Sequence, residues 1–349
     1  MSLDSMSIIG AGAVTSVGLS LASTMPAFRA EIDNFQDTSF QDGKNEPIIG
    51  AKITGFHTEN EDEIVGGLAT QYQWLCLSID EALSYINLDD YEEYCVMVIS
   101  PSEKQPSLID YQSLYQQTVE YSQTIIAEER LYHLHLPLGE IGSATAIMKA
   151  EKWLTEQANR AVILVGSDSW LNVSRIDHGL KNKRFLCDSQ DEGFIPGEGA
   201  SAVVLVKESQ SKYAALSILA TSIEEESRPL FSERNSTANG LTKATKSALT
   251  QSGIEPHEVE LMLNDLTGEE YFFAESALSW AKTLRTSLPE HYEKHFALTN
   301  VGNLGAVNGL FLLAYAWALQ IKGQHPGKNT LIQLTSEDSQ RAAIVAVTN

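Results

Sequence analysis

Glu140 sits in Gly139-Glu140-Ile141-Gly142-Ser143-Ala144-Thr145-Ala146-Ile147, at the start of a run that reads as a helix. A carboxylate is favoured at a helix N-terminus, where the peptide dipoles present partial positive charge. That placement needs no chemistry of its own. Ser143 lies on the same helix with no evident base beside it, so packing explains it. His133 and His135 precede Glu140 on alternate residues of an extended segment. Such a pair shares one face of a strand and could ligate a metal together with Glu140. No further His or Cys cluster supports a metal, and a surface or interface strand accounts for the pair, so no metal is assigned. Cys76, Cys95 and Cys187 are widely spaced with no CxxC pair, which argues against structural zinc or a disulfide framework. Each reads as a small buried hydrophobe. Gly10-x-Gly12 could be mistaken for a dinucleotide turn, but Thr15 stands where the third glycine belongs. The densest basic patch, Lys181-Asn182-Lys183-Arg184, and the acidic pair Glu337-Asp338 both read as solvated turns.

The elements that must position these residues alternate between strand and helix. Ser7 to Gly10 opens as a strand, and Ala22 to Ala30 is helix-like. Residues 31–64 are polar and read as irregular, ending in the acidic run Glu59-Asn60-Glu61-Asp62-Glu63. Helical spacing follows over 68–85, a buried strand over 94–99, a helical region over 107–129 and a short strand over 134–136. A helix over 145–157 leads to continuous apolar strands at 161–165 and 200–206. A second series then repeats the pattern: strand 214–221, helix 241–251, strand 260–263, helix 275–284, an apolar helix 304–321, and a closing hairpin of 331–334 with 342–347. This alternation implies α/β layers in two units, 1–210 and 211–349.

Composition fits that picture. The chain has 349 residues, 43% of them hydrophobic, with a formal net charge of −22. Strong acidity disfavours nucleic acid and anionic membrane as partners. The apolar run from Ile8 lacks a basic leader, so no signal peptide is read. Met1 to Ser5 reads as an appended leader with Met6 as the start. The run Leu304–Ile321 is marginal for a membrane span, and a fully buried helix is the better reading. A reducing cytoplasm suits the free cysteines.

Several segments together carry a resemblance. Gly10-Ala11-Gly12-Ala13-Val14-Thr15-Ser16-Val17-Gly18 resembles the N-terminal turn of β-ketoacyl-(acyl carrier protein) synthases of the thiolase superfamily. Phe194-Ile195-Pro196-Gly197-Glu198-Gly199-Ala200 resembles their Gly-Glu-Gly-Ala segment, with an acidic lead-in from Asp188 to Gly193. Ile163-Leu164-Val165-Gly166-Ser167-Asp168 resembles the strand before a pocket-lining loop. Gly302-Asn303-Leu304-Gly305-Ala306 resembles the Gly-His-x-x-Gly-Ala turn, one residue shorter. The segments occur in family order from end to end. The resemblance implies a five-layer α-β-α-β-α sandwich of two duplicated halves, a dimer, and no cofactor.

The same resemblance implies that the condensing chemistry is altered. Glu140 falls where the family carries its nucleophilic cysteine, and a carboxylate is a poor acyl carrier because a mixed anhydride is labile. The first family histidine should follow residues 260–263, where Asn264-Asp265-Leu266-Thr267-Gly268 stands, and no histidine lies between His257 and His291. Asn303 takes the place of the second. An amide donates a hydrogen bond but carries no proton near pH 7. Leu298 occupies the position of a structural lysine. The glycine-rich oxyanion loop reads Thr335-Ser336-Glu337-Asp338-Ser339-Gln340, without glycine. The expected pocket residues are Ser143, Asn264, Asp265 and Asn303. Basic residues dock the acyl carrier protein in the family, which makes Lys181, Lys183 and Arg184 the docking candidates.

The function that follows is a ketosynthase-like protein without condensing activity. It would act as a binding or partner subunit, in the manner of a chain-length factor or an accessory protein, in a homodimer or in a heterodimer with a ketosynthase-like subunit. The opening through Ile48-Ile49-Gly50 also resembles compact ketosynthase-like proteins associated with type VI secretion loci. The alternative is a divergent 3-oxoacyl-ACP synthase or decarboxylating acyltransferase that uses Glu140 and Asn303.

Overall fold

The computed structural model describes residues 5–55, 67–211 and 216–348. The acidic run 59–63 and most of the leader 1–5 lie outside these residues. In chain order the first elements are β1 (Met6–Val14), α1 (Leu21–Arg29), β2 (Phe35–Gln41), β3 (Pro47–Ala51), α2 (Leu68–Leu83), β4 (Glu93–Ser100) and α3 (Tyr111–Ile125). There follow β5 (Leu131–Pro137), α4 (Gly142–Glu156), β6 (Arg160–Ser169), α5 (Val173–Lys181) and β7 (Glu198–Lys207). The remainder comprises β8 (Leu216–Glu225), α6 (Asn239–Ser252), β9 (Leu261–Asn264), α7 (Glu270–Thr283), β10 (Glu293–His295), α8 (Asn308–Ile321), β11 (Asn329–Thr335) and β12 (Gln340–Thr348).

Ten strands form one hydrogen-bonded sheet in the order β10-β9-β11-β12-β8-β1-β7-β6-β4-β5. Its two wings repeat one plan. From β1 outward the strands run β7, β6, β4, β5, and from β8 outward they run β12, β11, β9, β10. The pairing senses match as well: antiparallel, antiparallel, parallel, parallel in each wing. A short antiparallel ladder between β1 and β8 joins them.

Three core clusters mark the layers. α2 and α3 cover the outer face of the first wing through Leu75, Ile79 and Leu114. α6 covers the outer face of the second through Ala244, Ala248 and Leu249. α4 and α8 lie between, packed on residues of both wings such as Leu164, Leu205, Leu263 and Ile344. This is the five-layer sandwich. A strand with helices on both faces must be apolar on both, which is why β6 and most of β7 are buried at every position.

α8 explains the long apolar run. Its helix proper is 14 residues, Asn308–Ile321, preceded by the 3-10 turn Gly305–Val307. Residues Asn308 to Leu319 are all buried. At 1.5 Å per residue it spans about 21 Å, short of the ~30 Å bilayer core. No helix among the described residues is long and apolar enough to cross a membrane. Two other expectations need correction. Residues 31–64 are not wholly irregular, because β2 and β3 form a hairpin there, with Ala51 bridged to Gly197. Lys181 is not in a loop: it ends α5, which Asn172 caps by accepting the Arg175 N–H. α5 is only nine residues long, too short for its apolar spacing to stand out in the sequence. Of the cysteines, Cys95 is buried, whereas Cys76 and Cys187 are only half-buried.

α4 and α8 cross closely at Gly309. A Cβ there would lie 2.0 Å from Ser143 Oγ and 3.0 Å from Ser143 Cβ. Gly309→Ala gains roughly 1 kcal/mol of helix propensity but overpacks the crossing, at a cost of ~1–3 kcal/mol. The net expectation is a lower urea midpoint, recovered in Ser143→Gly/Gly309→Ala relative to Ser143→Gly alone. Equal losses from Gly309→Ala in both backgrounds would show that the crossing is not the cause.

Candidate functional site

Five segments converge beside the N-termini of the two central helices. Glu140 stands in the 3-10 turn Gly139–Ile141 that leads into α4. Asp265 follows β9, and Thr267 and Glu269 follow it. Asn303 precedes the 3-10 turn into α8. Arg184 follows α5. Thr335, Ser336 and Glu337 come from the β11–β12 connection. Side chains of all five line one small cavity.

Arg184 holds this cluster together. It is buried, and its Nε and Nη2 donate to the two carboxylate oxygens of Glu269, both at 2.8 Å. Its Nη1 donates to Glu337 Oε2 at 2.5 Å. The planar guanidinium suits such a two-sided arrangement. Its ring-facing side lies 5.0 Å from the Phe194 centroid and 5.4 Å from Trp170. His178 Nε2 approaches Glu337 Oε2 at 3.4 Å. Burial alone would lower the arginine's proton affinity, but Glu269 and Glu337 more than offset that and hold it charged.

Glu140 is buried and accepts from Gln105 Nε2 at 2.7 Å. Burial, then the negative charge of Glu337, push its carboxyl above the usual range. Asp265 is pushed up to about 7, chiefly by burial, despite accepting the Thr335 N–H at 2.6 Å and its hydroxyl at 3.1 Å. Asn303 Oδ1 accepts the Gly305 N–H at 2.8 Å and Asn308 Nδ2 at 3.1 Å. Its Nδ2 faces Thr267 Oγ1 at 3.4 Å. Gly305 takes φ +61, and a Cβ there would strike Asp168 Oδ2 at 2.0 Å. Asp168 in turn accepts the Ala306 N–H and pairs with the buried Arg175 at 3.2 Å.

The space left among these groups is about 20 Å³. That is room for roughly one water molecule. The cluster is well built to hold charge in place and poorly built to admit an acyl chain. Removing one member of a buried ion pair typically costs ~3–5 kcal/mol, so the arrangement resists opening.

Of the expected pocket residues, Asp265 and Asn303 line the cavity with Glu140. Ser143 and Asn264 do not. Ser143 Oγ is sealed against Gly309 without a hydrogen-bond partner. Asn264 points into a buried network, with Nδ2 3.1 Å from Ser276 Oγ and 3.0 Å from Gln333 Oε1. Arg184, expected on a docking surface, lies inside the site, because it is the only cation within reach of Glu269 and Glu337 in the cavity lining. Lys181 and Lys183 stay exposed, Lys181 beside Asp177. Glu337 is not a solvated turn residue: its side chain is 12% exposed, whereas that of Asp338 is 55% exposed. Leu298 is wholly buried. His135 engages Ser100 Oγ at 2.9 Å and Gln112 Oε1 at 3.2 Å and stacks on Tyr115. Among the described residues no His, Cys, Asp and Glu cluster is placed to hold a metal. The contributions of Arg184, Glu269, Glu337 and Asn308 were not foreseen. Arg184 and Glu269 are 85 residues apart, and no spacing signal links them.

Asp265 makes stability depend on pH. Its folded pKa lies above the ordinary carboxylate value, so the native state binds the extra proton. Its contribution is full below pH ~4 and is lost as pH rises towards about 7. Asp265→Asn, which resembles the protonated form, should flatten the fall in urea midpoint between pH 5 and pH 8. An unchanged slope would remove Asp265 as its source. Glu198, also pushed up to about 7 by burial, supplies a residual slope.

No protein-family model matches the chain, and no curated protein matches it. Solved structures do. The ketosynthase from module 6 of the bacillaene synthase of Bacillus subtilis 168 superposes with a TM-score of 0.78 at 12% identity, covering 99% of this chain and 72% of that one. The ishigamide ketosynthase/chain length factor gives 0.70 at 14%, covering 99% of each. The ketosynthase in complex with its chain length factor from Xenorhabdus doucetiae gives 0.73 at 13%, covering 99% and 98%. The chain spans 43% of the length of the PfaC keto synthase–chain length factor. With the repeated wings and the two central helices, these likenesses give the chain the fold of ketosynthases and chain length factors.

Proposed function

We propose that this chain is a ketosynthase-like binding subunit that does not carry out condensation. One observation carries the reading: the ion-paired triad Glu269–Arg184–Glu337 occupies the site and leaves about 20 Å³. Three features of the site support it. Glu140 has no nucleophilic sulfur and is held in a buried hydrogen bond. Asn303 has its carbonyl oxygen committed to the turn into α8. The glycine-free connection after Thr335 turns a carboxylate, rather than backbone donors, into the cavity.

Its work would then be association. Edge strand β5 contains no Asp, Glu, Lys or Arg, and Tyr132, Leu134 and the adjoining Leu138 are exposed. Among the described residues it pairs only with β4, so one side of its backbone has no strand beside it. An uncharged open edge on a chain of net charge −22 is where a second subunit meets least repulsion. That subunit is a second copy or a ketosynthase-like partner, since the neighbours include a ketosynthase bound to its chain length factor and one with an acyl carrier protein. Lys181 and Lys183 are the groups that would meet an acidic carrier protein. An accessory role in a type VI secretion setting belongs to the same proposal. The alternative, acyl transfer or decarboxylation through Glu140 and Asn303, needs a malonyl group in a space that admits one water.

The protein incubated with malonyl- and acyl-loaded carrier protein should release no carbon dioxide and transfer no acyl group by mass spectrometry. It should sediment as a dimer or co-purify with a ketosynthase-like subunit from its source. Carbon dioxide release abolished by Asn303→Ala would establish the alternative instead.

A further inference from the structure

A cavity of about 330 Å³ adjoins the filled site. Thr267 lines both spaces, and Gly302, beside Asn303, lines the larger one. Four segments build it: β2 at Phe35, the connection from α5 to β7, the connection from β9 to α7, and the connection from β10 to α8. Its apolar wall is Phe35, Leu186, Ile195 and Leu298. Asp191 and Glu192 also line it, and no Lys, Arg or His does. Glu192 Oε1 accepts the Glu270 N–H at 3.0 Å. Asp191 is exposed and makes no hydrogen bond or ion pair with a described residue. Carboxylates are common on this chain, so these two alone assign nothing. The distinguishing feature is an acceptor of the main chain. Gly193 is buried, and its carbonyl lies against Gly268, where a Cβ would come within 2.2 Å of Gly193 O. Both glycines line the cavity. Among the described residues no N–H or O–H donates to that carbonyl. Buried main-chain acceptors are nearly always paired, so this one is left for a donor that enters the cavity.

We infer that this cavity binds a small organic cation, an amine carried on an aromatic or branched aliphatic body. The inference goes beyond the reading of the filled site and does not depend on it. An ammonium offers donors and no acceptor, which matches a lining of carboxylate and carbonyl oxygens. The apolar body would leave water against Phe35, Leu186, Ile195 and Leu298. The volume falls at the lower end of the ~300–1,000 Å³ of small-molecule sites, which are walled by apolar groups with a few polar atoms fixing orientation. An anionic ligand would face carboxylates with no cation in the lining. A neutral apolar ligand would leave the Gly193 carbonyl unpaired.

The test uses the full-length protein and two fluorescent probes with the same naphthalene body. Dansylcadaverine ends in a primary amine, and dansylglycine ends in a carboxylate. Dansylcadaverine should bind saturably with brighter, blue-shifted emission, about tenfold tighter than dansylglycine. Asp191→Asn and Leu186→Ala, both at exposed side chains, should each weaken it about threefold to tenfold. Asp89→Asn, at an exposed acid outside the lining, should leave it unchanged. Equal binding of the two probes overturns the proposal. So does an equal loss in Asp191→Asn and Asp89→Asn, which would mean that the net charge of −22 attracts the cation without a site. Unchanged affinity in either Asp191→Asn or Leu186→Ala overturns it as well, by placing the probe elsewhere.

Discussion

The buried guanidinium of Arg184, clamped between Glu269 and Glu337, is the constraint on which the functional region depends. It ties the segment after α5, the segment after β9 and the β11–β12 connection to one point. A lone buried charge is costly, and its pairing holds only while both carboxylates stay in place. The same geometry raises the carboxyl of Glu140, first by burying it and then by drawing Glu337 inward beside it. A loop that would otherwise carry solvated acidic residues becomes the lid of the cavity. The second buried pair, Asp168 with Arg175, fixes the turn into α8 from below. The two arginines therefore define the site as a structural junction.

Most of the architecture is legible in the sequence because it depends on local patterns. Short, largely apolar runs such as 161–165 and 200–206, rich in Val, read as strands covered on both faces, and both are. The repeated strand-helix order anticipates the repeated wings. The helix read over 145–157 is likewise visible, and it is α4, Gly142–Glu156. The failures have a common physical cause. Arg184 looked like a surface base because its partners are 85 and 153 residues away. Ser143 and Asn264 are polar residues near the site that turn into helix packing and a buried amide network, and no periodicity reveals which way such a side chain points. β2 was hidden because its largely polar sequence lacks apolar alternation, and β3 because it is only five residues long.

The fold retains the converging helix N-termini that favour an anion, and this chain fills them with its own carboxylates. Among the described residues, the border strands of the sheet are β5 and β10, each paired on one side.

The central claim, that the site is internally filled, is tested most directly by placing a thiol where Glu140 stands. In Glu140→Cys, iodoacetamide labelling of the native protein, read by peptide mapping to separate position 140 from Cys76, Cys95 and Cys187, should leave position 140 unmodified until urea unfolds the chain. Rapid native labelling at position 140 would show an open, accessible site and contradict the account.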